Sequence, residues 1–300
     1  IIPGIFGEYT FKGNRLTSVL GARIDYHNLF GFKFSPRLHS KYSINETLTL
    51  RFSSGRGWRV PNYIVDNISL LASSKYWETN QKLQPEISWN NGISLIKDLL
   101  LFKRKSQLSI DFYRTDFQSQ LIIDRDIDVY KIVFENLKGK SFSNSFQVEL
   151  SLEPYKNLEV RVAYKILDVK ADFGGELQQK VLLPKHRGFV NLGYLTRNKK
   201  WEFDWTSTFY GIARLPFNTE LDNTSSKFNL TNVQVTHIHK KWDFYLGAEN
   251  LFNYMQKNPI INSENPFGSK FDATRIWGPI MGTNIYFGLR FTMKKTKNNN

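Results

Sequence analysis

The stretch from Trp242 to Tyr254 reads WDFYLGAENLFNY. Apolar residues occupy every second position from 242 to 248, and Asp243 and Glu249 fall between or after them. Successive side chains of a strand point to opposite faces, so this pattern predicts a β-strand with one apolar and one mixed face. The strand then runs into the segment ENLFNY at 249–254.

The composition excludes several classes of protein. The most apolar short run in the 300 residues, 99–102, is four residues long. A membrane helix needs ~18 consecutive apolar residues, so the sequence excludes membrane helices. Membrane strands are not excluded. The absence of cysteine excludes a disulfide scaffold and a thiolate metal site. The net charge of +14 is spread along the chain with a few clusters, mostly at predicted turns, which suits anionic lipid or lipopolysaccharide head groups better than nucleic acid.

The same alternation recurs along the chain and predicts an all-β, antiparallel fold of about 13 strands. Besides the opening stretch, the predicted strands are 4–12, 16–26, 32–42, 47–54, 85–96, 107–123, 129–153, 158–172, 186–196, 201–212, 228–239 and 284–292.

The connections differ between the two ends of these strands. Short turns near positions 13, 43, 154, 197 and 240 alternate with long loops at 55–84, 173–184, 213–227 and 255–282. This asymmetry, with strands of ~10 residues, is typical of an outer-membrane barrel. In such a barrel the apolar faces look into lipid, and charged residues such as Glu149, Arg161 and Asp204 line a wet interior. We therefore predict a transmembrane β-barrel.

The segment ENLFNY resembles the NLF(D/N) signature near the end of TonB-dependent outer-membrane receptors. Further blocks resemble the receptors of Bacteroidetes-type bacteria in colinear order over nearly the whole chain. They are YHN (26–28), SPRL (35–38), GRGWRVPN (55–62), LLASS (70–74), YRTDF (113–117), SNSF (143–146), LPKH (183–186), IWGP (276–279) and GLRFT (288–292).

This resemblance implies that residues 1–293 are the carboxyl-terminal portion of a barrel of about 22 strands. The plug domain, with its TonB-contacting segment, would precede Ile1 and be absent from this chain, and 294–300 would be a polar periplasmic tail. Alone, the chain would leave an unpaired edge at 4–12, so we expect it not to transport by itself.

The family imports scarce nutrient complexes (siderophores, haem, cobalamin or other metal chelates) across the outer membrane of Gram-negative bacteria, powered by TonB. The implied partners are outer-membrane lipid and lipopolysaccharide, the TonB complex through the plug, the nutrient ligand and a surface lipoprotein. The predicted ligand-binding residues on the external loops are Trp58, Arg59, Tyr63, Trp77, Arg214 and Trp277, because aromatic rings and guanidinium groups suit bulky anionic or aromatic chelates. For Trp58 and Trp277 a packing or interfacial role is the alternative.

Three carboxylates alternate in the segment DRDID, at Asp124, Asp126 and Asp128. With Glu135 they match the carboxylate spacing of a helix–loop–helix calcium loop, which makes structural calcium the one cofactor candidate. Val129, however, occupies the place that needs glycine, and the flanks are predicted strands. A solvated external loop is the alternative, and no cofactor is required.

The sequence also allows other functions. A passive porin or a surface adhesin could use a similar barrel, an importer of this type could carry glycans or peptides, and a soluble β-rich binding protein could share the alternation. No Gly-x-Ser-x-Gly elbow or phosphate-binding glycine loop is present, so we do not expect an enzyme.

Overall fold

The structure, a computed structural model, describes residues 2–79, 81–218 and 221–293. It contains a 3₁₀ helix at Val65–Leu71 and seventeen strands. The strands are β1 (Gly4–Lys12), β2 (Leu16–His27), β3 (Gly31–Asn45), β4 (Leu48–Arg59), β5 (Tyr76–Glu78), β6 (Glu86–Leu101), β7 (Arg104–Ser119), β8 (Leu121–Asp124), β9 (Lys131–Asn136), β10 (Ser141–Tyr155), β11 (Leu158–Phe173), β12 (Glu176–Gln179), β13 (His186–Leu195), β14 (Trp201–Tyr210), β15 (Phe228–His239), β16 (Trp242–Glu249) and β17 (Asn284–Phe291). The predicted tail at 294–300 lies outside the described residues.

One large antiparallel sheet forms the wall of the molecule. It has fourteen strands, of which β12 pairs only with β11, so thirteen follow one another in the order β1-β2-β3-β4-β6-β7-β10-β11-β13-β14-β15-β16-β17. These thirteen correspond to the thirteen predicted strands, and the all-β, antiparallel prediction is confirmed. The remaining strands form a small sheet in the order β5-β9-β8. In the part of the chain that the structure describes, no helix is both long and apolar enough to cross a membrane.

The register shows how the two faces of the wall differ. In the β16–β17 pair, Phe244 lies opposite Leu289 and Leu246 opposite Phe287, while Asp243 lies opposite Arg290 on the other face. The apolar residues are not buried within the protein, since Phe287 is 88% exposed and Leu246 is 58% exposed. A soluble fold would cover such a face, so this exposure is that of a wall which meets lipid.

The charged residues of the polar face are placed as predicted. Ser109, Glu149 and Ala163 are neighbours across β7, β10 and β11, and the next residue on that face, Arg161, forms an ion pair of 2.7 Å with Glu149. Asp204 lies opposite Gln234 on β15. The polar face therefore carries mixed charges and amides, which fits a hydrated interior.

Two predicted strands were too long, because part of each belongs to a loop. The predicted strand 107–123 ends at Ser119, and 129–153 is interrupted between Asn136 and Ser141. The cause is visible in the sequence LIID at 121–124, where apolar residues are consecutive rather than alternating. Consecutive apolar residues favour a strand buried on both faces, and β8 and β9 pair with each other instead of extending the wall.

The two ends of the wall differ as the sequence predicted. One end has tight turns, such as the β6–β7 turn, where Phe102 and Lys103 have φ values of 53° and 60°, as in a type I′ hairpin. The other end carries five long loops, named L1 (60–85), L2 (120–140), L3 (174–185), L4 (211–227) and L5 (250–283). L2 was not predicted as a long loop. Together L1 to L5 form the loop layer.

Candidate functional site in the loop layer

A small hydrophobic core joins L1 and L2. Strand β5 of L1 pairs in parallel with β9 of L2, which pairs in turn with β8. Ile132 and Phe134 of β9 itself are 0% exposed. Tyr63 and Trp77, two of the predicted ligand residues, pack against the Phe134 ring at 5.4 and 5.0 Å between ring centroids. The structure therefore places both side chains in a packing role.

Buried charged groups connect L1, L2 and L5. Lys75 of L1 forms an ion pair of 3.0 Å with Asp272 of L5, and both side chains are less than a tenth exposed. Arg125 of L2 donates a hydrogen bond of 3.0 Å to the carbonyl oxygen of Thr274 in L5. Burial lowers the pKa of Arg125. Burial alone would raise the pKa of Asp272, but hydrogen bonds from Thr274 and the charge of Lys75 lower it.

Further bonds bring L3 and L4 into the same layer. Arg214 of L4 forms an ion pair of 2.7 Å with Asp126 of L2 and donates a hydrogen bond of 2.7 Å to the Gln179 carbonyl. Arg275 of L5 donates to the Pro216 carbonyl of L4 at 2.6 Å. Charged groups buried in this way must be paired, because leaving one unpaired costs several kcal/mol. The five long loops are thus one bonded unit.

Asp124, Asp126 and Asp128, the predicted calcium ligands, are engaged within this unit. Asp124 accepts from the Asp126 amide at 2.9 Å, and Asp128 accepts from the Tyr130 amide at 2.8 Å. Both carboxylate oxygens of Asp126 accept hydrogen bonds, from Arg214 and from the Phe217 amide. Within the described ranges, no three His, Cys, Asp or Glu side chains gather as a metal site would require. Calcium stays a prediction, and these bonds do not favour it.

An aromatic ladder lies where the wall meets L4 and L5. Phe228 stacks on Tyr210 at 4.7 Å with a 12° interplanar angle and on Tyr254 at 5.1 Å with a 7° angle. Trp277 lies 5.7 Å from Phe228 on centroids, and the Arg187 guanidinium lies 5.4 Å from the Tyr210 centroid. These five residues are named the ladder.

The register places the ladder on the polar face. Lys165 pairs with Arg187, Arg187 with Tyr210, and Tyr210 with Phe228, in a row across four strands. The buried Nε of Arg187 has no hydrogen-bond partner among the described residues. Burial raises the pKa of Tyr254, so its hydroxyl stays protonated as a donor at neutral pH. The row thus presents rings, a cation and a hydroxyl to the polar side.

A cavity of 530 Å³ adjoins the ladder between L4 and L5. Its lining includes Tyr254 and Trp277 together with Asp222, Gln256 and Lys257. Gln256 holds the adjacent backbone in place, since its side-chain oxygen accepts from the amides of Trp277 and Gly278 at 2.8 and 3.0 Å. The volume and the mixture of aromatic and polar groups are those of small-molecule sites.

The remaining predicted ligand residues lie apart from the ladder. Trp58 belongs to β4, and its indole nitrogen donates to Asp25 at 3.2 Å. Arg59 pairs with Asp66 at 3.2 Å and also with Glu86, although its side chain stays 59% exposed. Of the six predicted residues, Trp277 is in the ladder, and the ladder's other four members were missed. Tyr210 and Phe228 come together because β14 and β15 pair across L4, and the periodicity of single strands does not reveal this pairing.

The chain matches one family model, described as TonB dependent receptor-like, beta-barrel, over residues 3–251. No curated protein matches it in sequence. Several solved structures share its fold. A mutant ferric enterobactin receptor of Pseudomonas aeruginosa has a TM-score of 0.72 at 16% identity, covering 97% of this chain and 44% of that one.

Two further structures give similar values. The siderophore receptor PirA of Acinetobacter baumannii has a TM-score of 0.69 at 15% identity, and the FrpB iron transporter of Neisseria meningitidis has 0.67 at 14%. In both comparisons 97% of this chain covers 45% of the other. The chain thus spans less than half the length of these receptors.

Proposed function

Because the chain belongs to the TonB-dependent receptor β-barrel family of the outer membrane, we propose that it serves in the active import of a metal chelate, such as a ferric siderophore. It would supply barrel wall and extracellular loops to the importer. The apolar face of the wall meets lipid, the polar face lines the interior, and L1 to L5 lie at the extracellular end. The Bacteroidetes-type origin stays a prediction.

The observation that carries the proposal is the ladder with its adjoining cavity. Stacked rings with a guanidinium at one end offer flat contacts and a positive charge to an anionic, aromatic chelate. The ferric enterobactin receptor, a structural neighbour of this chain, has been crystallised with enterobactin as a mutant.

The proposed mechanism has three steps. The bonded loop layer holds Tyr254 and Trp277 in place, so that the chelate is captured on a preformed surface with little ordering cost. TonB, acting on a plug domain of the whole receptor, then opens the interior. The chelate passes along the polar face, where paired charges such as Glu149 and Arg161 keep the surface hydrated.

Uptake by a deletion strain that expresses the whole receptor tests this proposal. Labelled ferric catecholates, ferric hydroxamates, haem, cobalamin and glycans are supplied singly, with and without functional TonB. We expect uptake of one chelate class, which is lost when TonB is inactivated. Uptake that persists without TonB would instead indicate a passive pore. Uptake of glycans alone would refute the proposal that the cargo is a metal chelate.

A variant of the ladder tests the site itself. Arg187→Ala removes the cation over Tyr210 and should weaken binding of the imported chelate about tenfold, as expected when a charge-assisted contact is lost. The matched control is Arg197→Ala, because Arg197 lies over the Tyr155 ring at 5.9 Å but at the short-turn end. Titration of the purified whole receptor by tryptophan fluorescence gives both affinities. Equal affinity of the two variants would exclude the ladder as the site.

A further inference from the structure

A cavity of 630 Å³ opens on the polar face of the wall, across strands β2, β3, β4, β6 and β7. Its lining includes His39, Lys41, Arg51, Ser94 and Asp111, and it is named the cationic cavity. Lys41 and Arg51 lie near the short-turn ends of β3 and β4. The cationic cavity therefore lies toward the short turns, whereas the ladder lies next to the long loops.

The two permanent cations of this cavity are direct neighbours. Lys41 lies opposite Arg51 in the β3–β4 register, and both side chains are exposed. Within the described ranges neither side chain forms an ion pair. Asp111 is the one carboxylate among the described lining residues, but it lies on β7, where it accepts a hydrogen bond from the Ser94 hydroxyl. Like charges directly opposite each other destabilise a strand pair, so a bound anion would stabilise this one.

An aromatic ring lies in the same cavity. Tyr113 packs against the backbone of Gly92, since a Cβ atom at that glycine would lie 2.3 Å from Cε1 of the tyrosine. The cationic cavity thus combines positive charges with an aromatic ring, as the ladder does where the Arg187 guanidinium lies over Tyr210. The two regions suit the same class of ligand, an anion with flat aromatic parts.

A row of paired residues on the polar face connects the cationic cavity with the ladder. In strand order the row is Arg51, Ser94, Asp111, Gln147, Lys165 and Arg187. Arg51 lies near the short-turn end of β4, whereas Arg187 lies at the long-loop end of β13, so the row descends through the interior. Three of these side chains are cations and one is a carboxylate. An anion that leaves the ladder therefore meets a net positive row that ends at Arg51.

We propose that Lys41 and Arg51 form a second anion-binding site, which receives the anionic chelate near the short-turn end of the interior. The two cations bind oxyanions of the chelate, either catecholate or carboxylate, and the Tyr113 ring contacts its flat part. This inference rests on the proposed import of a metal chelate, and it adds where the cargo is held after it has left the ladder. Exposed charges suit this role, because a site on a route of passage has to release what it binds.

Calorimetric titration of the purified whole receptor with citrate tests the site independently of import, because citrate is a small trianion at neutral pH. Combining Lys41→Gln with Arg51→Gln should weaken citrate binding about twentyfold, since each exposed ion pair contributes up to about fivefold. The matched control combines Lys200→Gln with Lys241→Gln, which removes two exposed cations at short turns outside the cavity. Citrate binding that is absent from the wild-type receptor, or equal in the wild type and the Lys41/Arg51 variant, would overturn the proposal.

Uptake of radiolabelled ferric tris-catecholate, a trianion, by cells that express the whole receptor tests the role of the site in import. The Lys41/Arg51 variant should lower the maximal uptake rate about fivefold, while chelate binding to cells without functional TonB stays unchanged. Arg187→Ala should instead weaken that binding, so the two sites give different results. An unchanged uptake rate in the Lys41/Arg51 variant would refute its role in import. Citrate binding that depends on Lys41 and Arg51 without any import of the chelate would support the anion site and refute only the proposed function.

Discussion

The same kind of side chain is exposed in the wall and buried in the loop layer. Phe287 on the wall is 88% exposed, whereas Phe134 in L2 is 0% exposed. Charges differ likewise: Arg161 on the polar face is half exposed beside Glu149, while the Lys75–Asp272 pair between L1 and L5 is buried. The wall has lipid on one side to cover its apolar residues, but loops that extend into water must bury their own.

This difference indicates which contacts stabilise each region. Backbone hydrogen bonds to both neighbouring strands hold a wall strand in place. Single side chains on its lipid face therefore contribute little to packing within the protein. The loop layer has few backbone hydrogen bonds between paired strands. Its side-chain hydrogen bonds and ion pairs join segments that are far apart in sequence. Local opening free energies should therefore respond strongly to substitutions in the loops and weakly to substitutions on the wall.

The largest effect is expected from Lys75→Met. It removes one partner of a buried ion pair and leaves the buried Asp272 carboxylate without its cation, which should lower the opening free energy of L1 and L5 by about 3–5 kcal/mol. Hydrogen exchange of the purified whole receptor measures this change. Lys131→Met is the matched control, because its 3.2 Å pair with Glu78 is partly exposed and should contribute only about 0–1 kcal/mol. Equal effects of the two variants would contradict the comparison.

The wall was predictable from the sequence for a physical reason. Each wall residue meets lipid or water according to its parity, so alternation predicts the thirteen strands and groups the residues of each face. The asymmetry of short turns and long loops then predicts an antiparallel barrel whose apolar face meets lipid. Glu149, Arg161 and Asp204 fell on the predicted side for that reason. The largest misplaced part was 120–140, where the alternation of β7 appeared to continue through the consecutive apolar residues of LIID. The long loop predicted to begin at residue 55 begins after Arg59, where β4 ends.

The loop layer was not predictable in the same way. Arg125 bonds to Thr274, a residue 149 positions away, and no local pattern signals that contact. Arg214 and Trp77 had the right chemistry for a ligand, but contacts with Asp126 and Phe134 engage them. The ladder was missed because its rings come together only when β14, β15 and L5 are aligned.

A smaller effect is expected from removing one methyl group in each region. Ile132→Val creates a small cavity in the dry core of L1 and L2 and should cost about 1 kcal/mol of local stability. Ile285→Val on the lipid-facing wall, where Ile285 is 71% exposed, leaves no cavity, because lipid fills the space. Hydrogen exchange of β9 and β17 amides compares the two, and a larger loss at β17 would reverse the proposed difference.

The smallest effect concerns the pH dependence of L2. Burial raises the pKa of Asp124 above the value of about 3.9 that it has in the unfolded chain. The folded loop therefore holds the proton more tightly, so its stability falls as pH rises from about 3.9 to the folded pKa. Asp272 has the opposite sign, since its lowered pKa confines its loss of stability to pH values below about 3.9.

Asp124→Asn should flatten the fall in L2 stability above pH ~3.9 while preserving an acceptor for the Asp126 amide. The measurement is the opening free energy of β8 and β9 amides from pH 4 to 7, corrected for intrinsic exchange at each pH. Asp128→Asn is the matched control, because Asp128 makes the same type of bond, to the Tyr130 amide, but is less buried. If the Asp124 variant keeps the full wild-type slope, burial of this carboxylate is not what sets the pH response of the loop layer.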